Sequence, residues 1–325
     1  MSEAIVIREY GGAEVMKPEP VQLTLPGPGE IALRQTAVGV NFHDVYVRSG
    51  LYKTLSLPGT PGCEATGIVE GVGDGVEHLA VGDRVAYVTK DYGAYASHRM
   101  LAAALAIPLP EGVSDNAVAS NLLRIMTVDM LVHQVTALRA EQTVLVQAAA
   151  GGVGRLLCQW AAHIGARVIG TVGSVEKAAQ ATAAGCEQVV LYREADVGEA
   201  VLDITDGRGV DLVFDSVGAD TFADSLEVLA PCGHLVNFGQ SSGPVEPLTM
   251  TTLAAKSLTV SRPMLFHYIA DPTQYQGSGQ TALRALADGV LSTPDPITFA
   301  LNKAPDAHSL LESGQGGGAI VLLPQ

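Results

Sequence analysis

The stretch TVLVQAAAGGVG, residues 143–154, runs an apolar strand straight into a turn that has almost no side chains. Overlaid on G-x-G-x-x-G, it gives Ala149, Ala150, Gly151, Gly152, Val153 and Gly154, with alanine where the first glycine usually stands. Small residues here let the backbone turn sharply and approach a pyrophosphate. They also let the next helix pack closely, its N-terminal N–H groups aimed at the anion. A tight strand-to-helix turn with no ligand has the same composition, so the flanking sequence must decide.

Downstream, apolar runs recur at ARVIGTV (166–172), QVVLY (188–192), VDLVFDSV (210–217), GHLVNFG (233–239) and SLTVSRP (257–263). Counting from TVLVQ, helical segments such as VGRLLCQWAAHIG and SVEKAAQATAAG lie between the first five strands. Strands that alternate with helices and are apolar almost throughout belong to a parallel sheet covered on both faces. Counting the opening TVLVQ, six such strands fit a doubly wound Rossmann fold, and the glycine turn then heads it as a dinucleotide site.

Upstream, the first 110 or so residues carry short apolar runs broken by glycine and proline: IALRQTAVGV, ATGIVEGVG, DRVAYV and GAYASHRM. This pattern predicts a compact, mostly β region. From about Asn121 the character changes, and LLRIMTVDMLVHQVTAL has apolar residues at helical spacing. The expected organisation is α/β: a mostly β domain at 1–122, a six-stranded Rossmann domain at 123–262, and a tail at 263–325. That tail holds a helix-like TALRALADGV and a strand-like GAIVLLP, and returns to complete the β domain. The short GQGGG at 314–318 reads as a flexible turn.

At 325 residues, with 47% hydrophobic and 16% charged residues, the chain is long enough for about two globular domains. A net charge of −15 disfavours nucleic acid and anionic membrane surfaces as partners. An anionic cofactor must therefore find local positive charge. Cys63, Cys158, Cys186 and Cys232 are widely spaced with no C-x-x-C pair, which suits a reducing compartment. No signal peptide is visible in MSEAIVIREY, and no apolar run reaches the roughly 18 residues of a membrane helix. A soluble cytoplasmic protein is expected.

The choice of dinucleotide is made about 20 residues beyond the glycine turn, where an acid accepts the ribose hydroxyls of NAD. Here Gly173 and Ser174 occupy the place, Glu176 lies already inside the helix, and Lys177 follows, placed to reach a 2′-phosphate. A charge-assisted hydrogen bond of roughly 1.5–3 kcal/mol gives about a ten- to hundredfold preference for NADPH. Arg193, after Tyr192, offers a second cation.

The segments GVNFHDVYVRSGLY, PGCEATGIVEGVGDGV, VGDRVAY, GAYASH, AAAGGVGRLLCQWAAHIGARVIGTVGS, VFDSVG and GHLVNFGQSSG together resemble one family. It is the zinc-free NADPH:quinone oxidoreductase, or zeta-crystallin-like, branch of the medium-chain dehydrogenase/reductases. The likeness spans nearly the whole chain. It implies a GroES-like catalytic domain and a Rossmann domain with a cleft between them, NADPH as hydride donor, and a homodimer.

The resemblance also makes a metal testable. Zinc-dependent relatives place a cysteine where this chain has Asn41 and a histidine where it has Cys63, and catalytic zinc needs three good ligands. Asn41 is a poor ligand and the four-cysteine lobe is missing, so no metal is expected, although Glu64 and His43 lie near in sequence to these positions. By the family pattern Asn41, Tyr46 and Tyr52 line the catalytic pocket, Asn41 donating to a substrate oxygen and the tyrosines stacking on a planar ring or donating a proton. His43 would feed protons to a reduced quinone. Cofactor contacts carried over are Asn41, Tyr46, Thr127 at the start of the linking helix, Gly151, Gly152, Val153 and Gly154 at the pyrophosphate, and Gly173, Ser174, Lys177 and Tyr192 around the adenosine phosphate. Ser216, Phe238, Gly239 and Ser241 border the nicotinamide side. Where relatives often carry Lys-Gly-Leu, this chain has Arg124, Ile125 and Met126, which bears on the size of the cleft.

The expected activity is hydride transfer from NADPH to a quinone or similar conjugated carbonyl. Reduction of the C=C bond of an enoyl thioester or alkenal, and non-catalytic NADPH binding, remain as alternatives.

Overall fold

The computed structural model describes residues 2–314 and 319–324, so most of the GQGGG stretch, 315–318, lies outside the described residues. The chain divides into two compact units, one of residues 1–126 with 269–325 and the other Thr127–Tyr268.

Among the described residues, the second unit carries a six-stranded, all-parallel sheet. Its order in space is Gln188–Leu191, Arg167–Val172, Thr143–Val146, Val210–Asp215, Leu229–Asn237, Thr259–Ser261. That is the doubly wound order expected, with the chain reversing direction across the sheet beside Thr143–Val146. The strand Thr143–Val146 is buried along its whole length, as a central strand with helices on both faces must be. Leu145, Ile169, Val190, Val213, Leu229 and Leu235 form one core with Val201 and Leu226 from the covering helices. Each such side chain contributes about 1.5–3 kcal/mol on burial. The helices Gly152–Ile164, Val175–Ala183 and Val197–Ile204 connect the first four strands.

Among the described residues, the first unit carries a seven-stranded sheet whose long member, Glu30–Val40, alternates buried and half-buried residues before becoming buried throughout. It pairs antiparallel with Glu64–Val72, with His98–Ala102, and with the C-terminal strand Ile320–Leu323. A further strand, Ile297–Ala300, runs parallel to Ile320–Leu323. The helix Phe42–Ser49 follows directly on the long strand, capped by Asn41 in a reciprocal box with Asp44 and closed by Gly50 in the left-handed region. It carries the first unit's candidate site.

Candidate active site

At the head of the Rossmann sheet, Thr171 Oγ1 donates to Gln147 Oε1 at 2.6 Å, and Ala148 N donates to Thr171 Oγ1 at 3.3 Å. The chain then turns back with Ala148 at φ +54°, and Gly151 N donates to Ala148 O at 2.8 Å. A Cβ at Gly154 would lie 2.3 Å from that same carbonyl oxygen, so the third glycine is demanded by packing. Ala149 is buried where a first glycine usually stands; its methyl is accommodated because the neighbouring strand has Gly170 opposite it. Gly151 caps the helix Gly152–Ile164 without any side chain. Its first-turn N–H groups, including those of Val153 and Gly154, are the anion-seeking end of a helix.

At the end of the second strand, Ser174 caps the helix Val175–Ala183 by accepting from Lys177 N at 3.4 Å. Lys177 is exposed in the first turn. Tyr192 packs its hydroxyl over Gly173, and the Arg193 guanidinium lies 6.0 Å from the Tyr192 ring centre. Glu176 is held below the ordinary carboxylate range by its hydrogen bond with Ser174. The structure thus gathers Gly173, Ser174, Lys177, Tyr192 and Arg193 at the ends of two neighbouring strands, Arg167–Val172 and Gln188–Leu191.

A third cluster sits where Val210–Asp215 and Leu229–Asn237 end. Ser241 N donates to Ser216 O at 3.3 Å, and a Cβ at Gly239 would stand 2.4 Å from that same oxygen. Phe238 N donates to Asp215 O at 2.8 Å. Beneath them Asp215, fully buried, accepts from Val217 N at 2.7 Å, Gly218 N at 3.1 Å, Thr221 Oγ1 at 2.9 Å and Asn237 Nδ2 at 3.3 Å. Burial pushes this carboxyl upward, and those four donors pull it back. Asp215 therefore fixes the loop that carries Ser216, a task the sequence reading did not assign to it. Thr127 is placed differently from expectation: it lies near the C-terminal end of the helix Leu122–Asp129, not at a helix start, because that helix begins at Leu122 and gives way to a π-helical stretch at Met130–Val135.

In the first unit, Asn41, Tyr46 and Tyr52 come together around the helix Phe42–Ser49. Tyr46 and Tyr52 have ring centres 5.0 Å apart, and His43 lies 5.7 Å from Tyr52. Tyr92, which sequence reading missed, stacks on His43 at 6.0 Å; its hydroxyl is 3.3 Å from His43 Nε2 and also hydrogen-bonds Thr54. The one local sign of it is an aromatic beside Gly93, and Tyr92 itself takes φ +56°, an uncommon place for a bulky residue. Burial lowers His43 to about 4, so its imidazole is neutral at pH 7.

Asn41 is held from three sides. Its Nδ2 donates to Glu64 Oε1 at 2.6 Å, its Oδ1 receives Arg124 Nε at 3.3 Å, and its backbone N donates to Asp44 Oδ2 at 2.8 Å. Glu64 Oε2 accepts from Leu123 N at 2.6 Å, and Arg124 Nη2 donates to Val40 O at 3.2 Å. Burial pushes Glu64 up to about 7, opposed by the Asn41 and Leu123 hydrogen bonds and by the Arg124 charge. Burial likewise pushes Asp44 up to about 7.

Residues 27–111 match the alcohol dehydrogenase GroES-like domain, and residues 152–282 match the zinc-binding dehydrogenase domain. The chain is 41% identical over 325 residues to the quinone oxidoreductase of Pseudomonas aeruginosa, covering 100% of both chains. It is 39% identical over 332 residues to the 2-haloacrylate reductase of a Burkholderia species, again across 100% of both. The crystal structure of Escherichia coli quinone oxidoreductase complexed with NADPH superposes with a TM-score of 0.95 at 39% identity, covering 99% of this chain and 100% of that one. The chain belongs to the zinc-free quinone oxidoreductase branch of the medium-chain dehydrogenase/reductases.

Within that branch, this member's donor set does not fit zinc despite the description of its matching domain. Asn41 has its amide engaged by Glu64 and Arg124, and a guanidinium 3.3 Å from the amide oxygen opposes any cation placed there. Cys63 is fully buried, and burial, with Asp44 and Glu64 adding to it, keeps the thiol well above its ordinary range and therefore protonated. Among the described residues no group of three or more His, Cys, Asp or Glu side chains is placed to hold a metal ion, and none of their helices is long and apolar enough to cross a membrane. NADPH, by contrast, fits the residues present: a bare glycine cradle, a helix N-terminus with no side-chain cap, and Gly173 and Ser174 where an acid would select NAD, with Lys177 in the helix turn that follows.

Proposed function

We propose that this chain is an NADPH-dependent oxidoreductase that passes hydride to a quinone or a similar small conjugated carbonyl, without zinc. The observation that carries the reading is Ser174 and Lys177 at the head of the helix Val175–Ala183, beside Tyr192, where an NAD enzyme would hold a carboxylate. Its relatives by sequence support it, since the Pseudomonas aeruginosa protein at 41% identity is a quinone oxidoreductase.

In this reading the unit Thr127–Tyr268 is the NADPH-binding domain and the other unit the catalytic, GroES-like one. The backbone of Gly151, Gly152, Val153 and Gly154 holds the pyrophosphate. Gly173, Ser174, Lys177 and Tyr192 hold the adenosine phosphate. Thr127, Ser216, Phe238, Gly239 and Ser241 border the nicotinamide, as do Asn41 and Tyr46. When bound, NADPH supplies the hydride. Asn41 donates an Nδ2–H to the substrate oxygen, where negative charge develops. Tyr46 and Tyr52 orient the planar ring. His43, neutral and linked to the Tyr92 hydroxyl, is placed to hand on a proton.

The 2-haloacrylate reductase at 39% identity favours a second reading, in which the accepted hydride goes to an activated C=C bond. Following NADPH oxidation against quinones, enones and haloacrylates separates the two. Consumption with quinones supports the first, consumption with haloacrylates or enones alone supports the second, and binding without turnover overturns both. We further infer a homodimer, as the family resemblance implies, and a cytoplasmic location, which the widely spaced cysteines support; sedimentation at a single-chain mass would remove the dimer.

A further inference from the structure

Arg124 has no part in the roles assigned so far, yet it is nearly as buried as the residue it contacts, at 7% exposed against 4% for Asn41. A buried guanidinium is expensive unless it meets oxygen acceptors and opposite charge. Here it has both: Nε donates to the Asn41 side-chain oxygen, Nη2 donates to the Val40 carbonyl, and its charge acts on both Glu64 and Asp44. Asn41 is thus strung between a cation on its oxygen and a carboxylate on its nitrogen.

That arrangement matters for charge that develops at Asn41. Hydride transfer to a quinone leaves the acceptor as an oxyanion and the nicotinamide oxidised, until a proton from solvent completes the hydroquinone. An oxyanion bound by Asn41 Nδ2 would form beside Glu64, whose oxygen is 2.6 Å from that nitrogen. Two negative charges so close in a buried place oppose one another. An adjacent guanidinium offsets the first and leaves room for the second. Pulling on the amide oxygen, it also fixes the amide the right way round and makes its N–H a stronger donor.

We propose that Arg124 is a positioning residue for Asn41 that offsets the Glu64 carboxylate, so that negative charge can develop on the substrate oxygen during hydride transfer. The inference rests on the reading of Asn41 as the substrate's donor. It identifies the Arg124, Asn41 and Glu64 triad as one electrostatic unit, and it predicts that Arg124 acts on kcat and not on binding.

The test uses the full chain with NADPH and the best quinone acceptor, comparing Arg124→Gln, Arg124→Lys, Glu64→Gln and the double variant Arg124→Gln/Glu64→Gln. Glutamine at 124 keeps a donor and removes the charge. It should lower kcat about tenfold, less than the loss of a direct oxyanion donor because Arg124 acts through Asn41, with KM for quinone and Kd for NADPH changed less than about twofold. Lysine should retain most of the rate. Removing the opposing charge in the double variant should restore kcat at least severalfold over Arg124→Gln alone, a rescue no purely structural role gives. Equal kcat in wild type and Arg124→Gln, or a double variant as slow as or slower than the single, overturns the proposal. Should Arg124→Gln not fold, Arg124→Lys decides: with the cation kept, kcat should stay within about threefold of wild type, and a tenfold fall overturns the proposal. No turnover by the wild type with any quinone removes the underlying reading, an outcome distinct from an Arg124 that proves indifferent in an active enzyme.

Discussion

The Tyr192 hydroxyl rests directly over the Cα of Gly173, so closely that a Cβ there would stand 2.6 Å from the oxygen. One strand end thus supports the aromatic of the next, and the pair frames Ser174 and Lys177. Gly173→Ala should displace Tyr192 and weaken NADPH about tenfold, with little loss of melting temperature because Tyr192 is 49% exposed. Titration of NADPH fluorescence checks this. Unchanged affinity would show that the Tyr192 placement does not matter to the cofactor.

Lys177→Ala should weaken NADPH about ten- to hundredfold while leaving NADH within about twofold, the value of one charge-assisted contact to a phosphate. Parallel binding isotherms for the two cofactors measure it. Equal losses would mean that Lys177 does not read the 2′-phosphate.

Gly154→Ala forces a methyl to 2.3 Å from the Ala148 carbonyl oxygen, which belongs to backbone and cannot swing aside. A loss of about 1–3 kcal/mol of stability is expected, as for other overpacked sites, together with weaker NADPH binding. Chemical denaturation with and without cofactor reports both; a variant as stable as wild type would show that the turn relaxes freely.

Glu64 contributes to the pH dependence of stability, in the same sense as Asp44, which burial also raises to about 7. The folded value of Glu64, about 7, lies above its ordinary 4.5, so the folded protein binds more protons than the unfolded chain between those values. The protonated group therefore favours folding at low pH, and this contribution is lost as pH rises from about 4.5 through 7. His43 and His308, lowered to about 4 and about 3, act in the opposite sense as pH falls below 6.5. Comparing Glu64→Gln with wild type isolates the carboxyl. Between pH 5 and pH 8 the wild type should lose more melting temperature than the variant, and identical slopes would contradict the burial effect.

Zinc should be absent below about a tenth of an equivalent, and a chelator should leave NADPH oxidation unchanged, because a buried guanidinium sits on the Asn41 oxygen. Elemental analysis with the treated enzyme's kinetics checks this, and a full zinc equivalent that chelation removes along with activity would contradict it.

The Rossmann sheet was legible because its central strands are buried on both faces, which leaves apolar runs such as 144–146 and 212–214. Ile297–Ala300 escaped notice for the converse reason: it is exposed or half-buried along its length, and only its pairing with Ile320–Leu323 makes it a strand. The glycine turn and Lys177 are local features spaced along one stretch of chain. The environment of Asn41 is not local. Glu64 reaches it from the paired strand and Arg124 from a helix 83 residues away, and only tertiary packing reveals that both bear on one amide. Asp215 and Tyr92 were hidden in the same way, the first by its partners across the loop to Thr221 and Asn237, the second by a left-handed backbone that sequence gives no means to expect.

The central claim is tested most directly by mixing the purified chain with NADPH and a simple quinone and following the loss of nicotinamide absorbance. The account predicts rapid, enzyme-dependent oxidation of NADPH, at least tenfold faster than of NADH at equal low concentration. Tight NADPH binding with no oxidation by any quinone would contradict it.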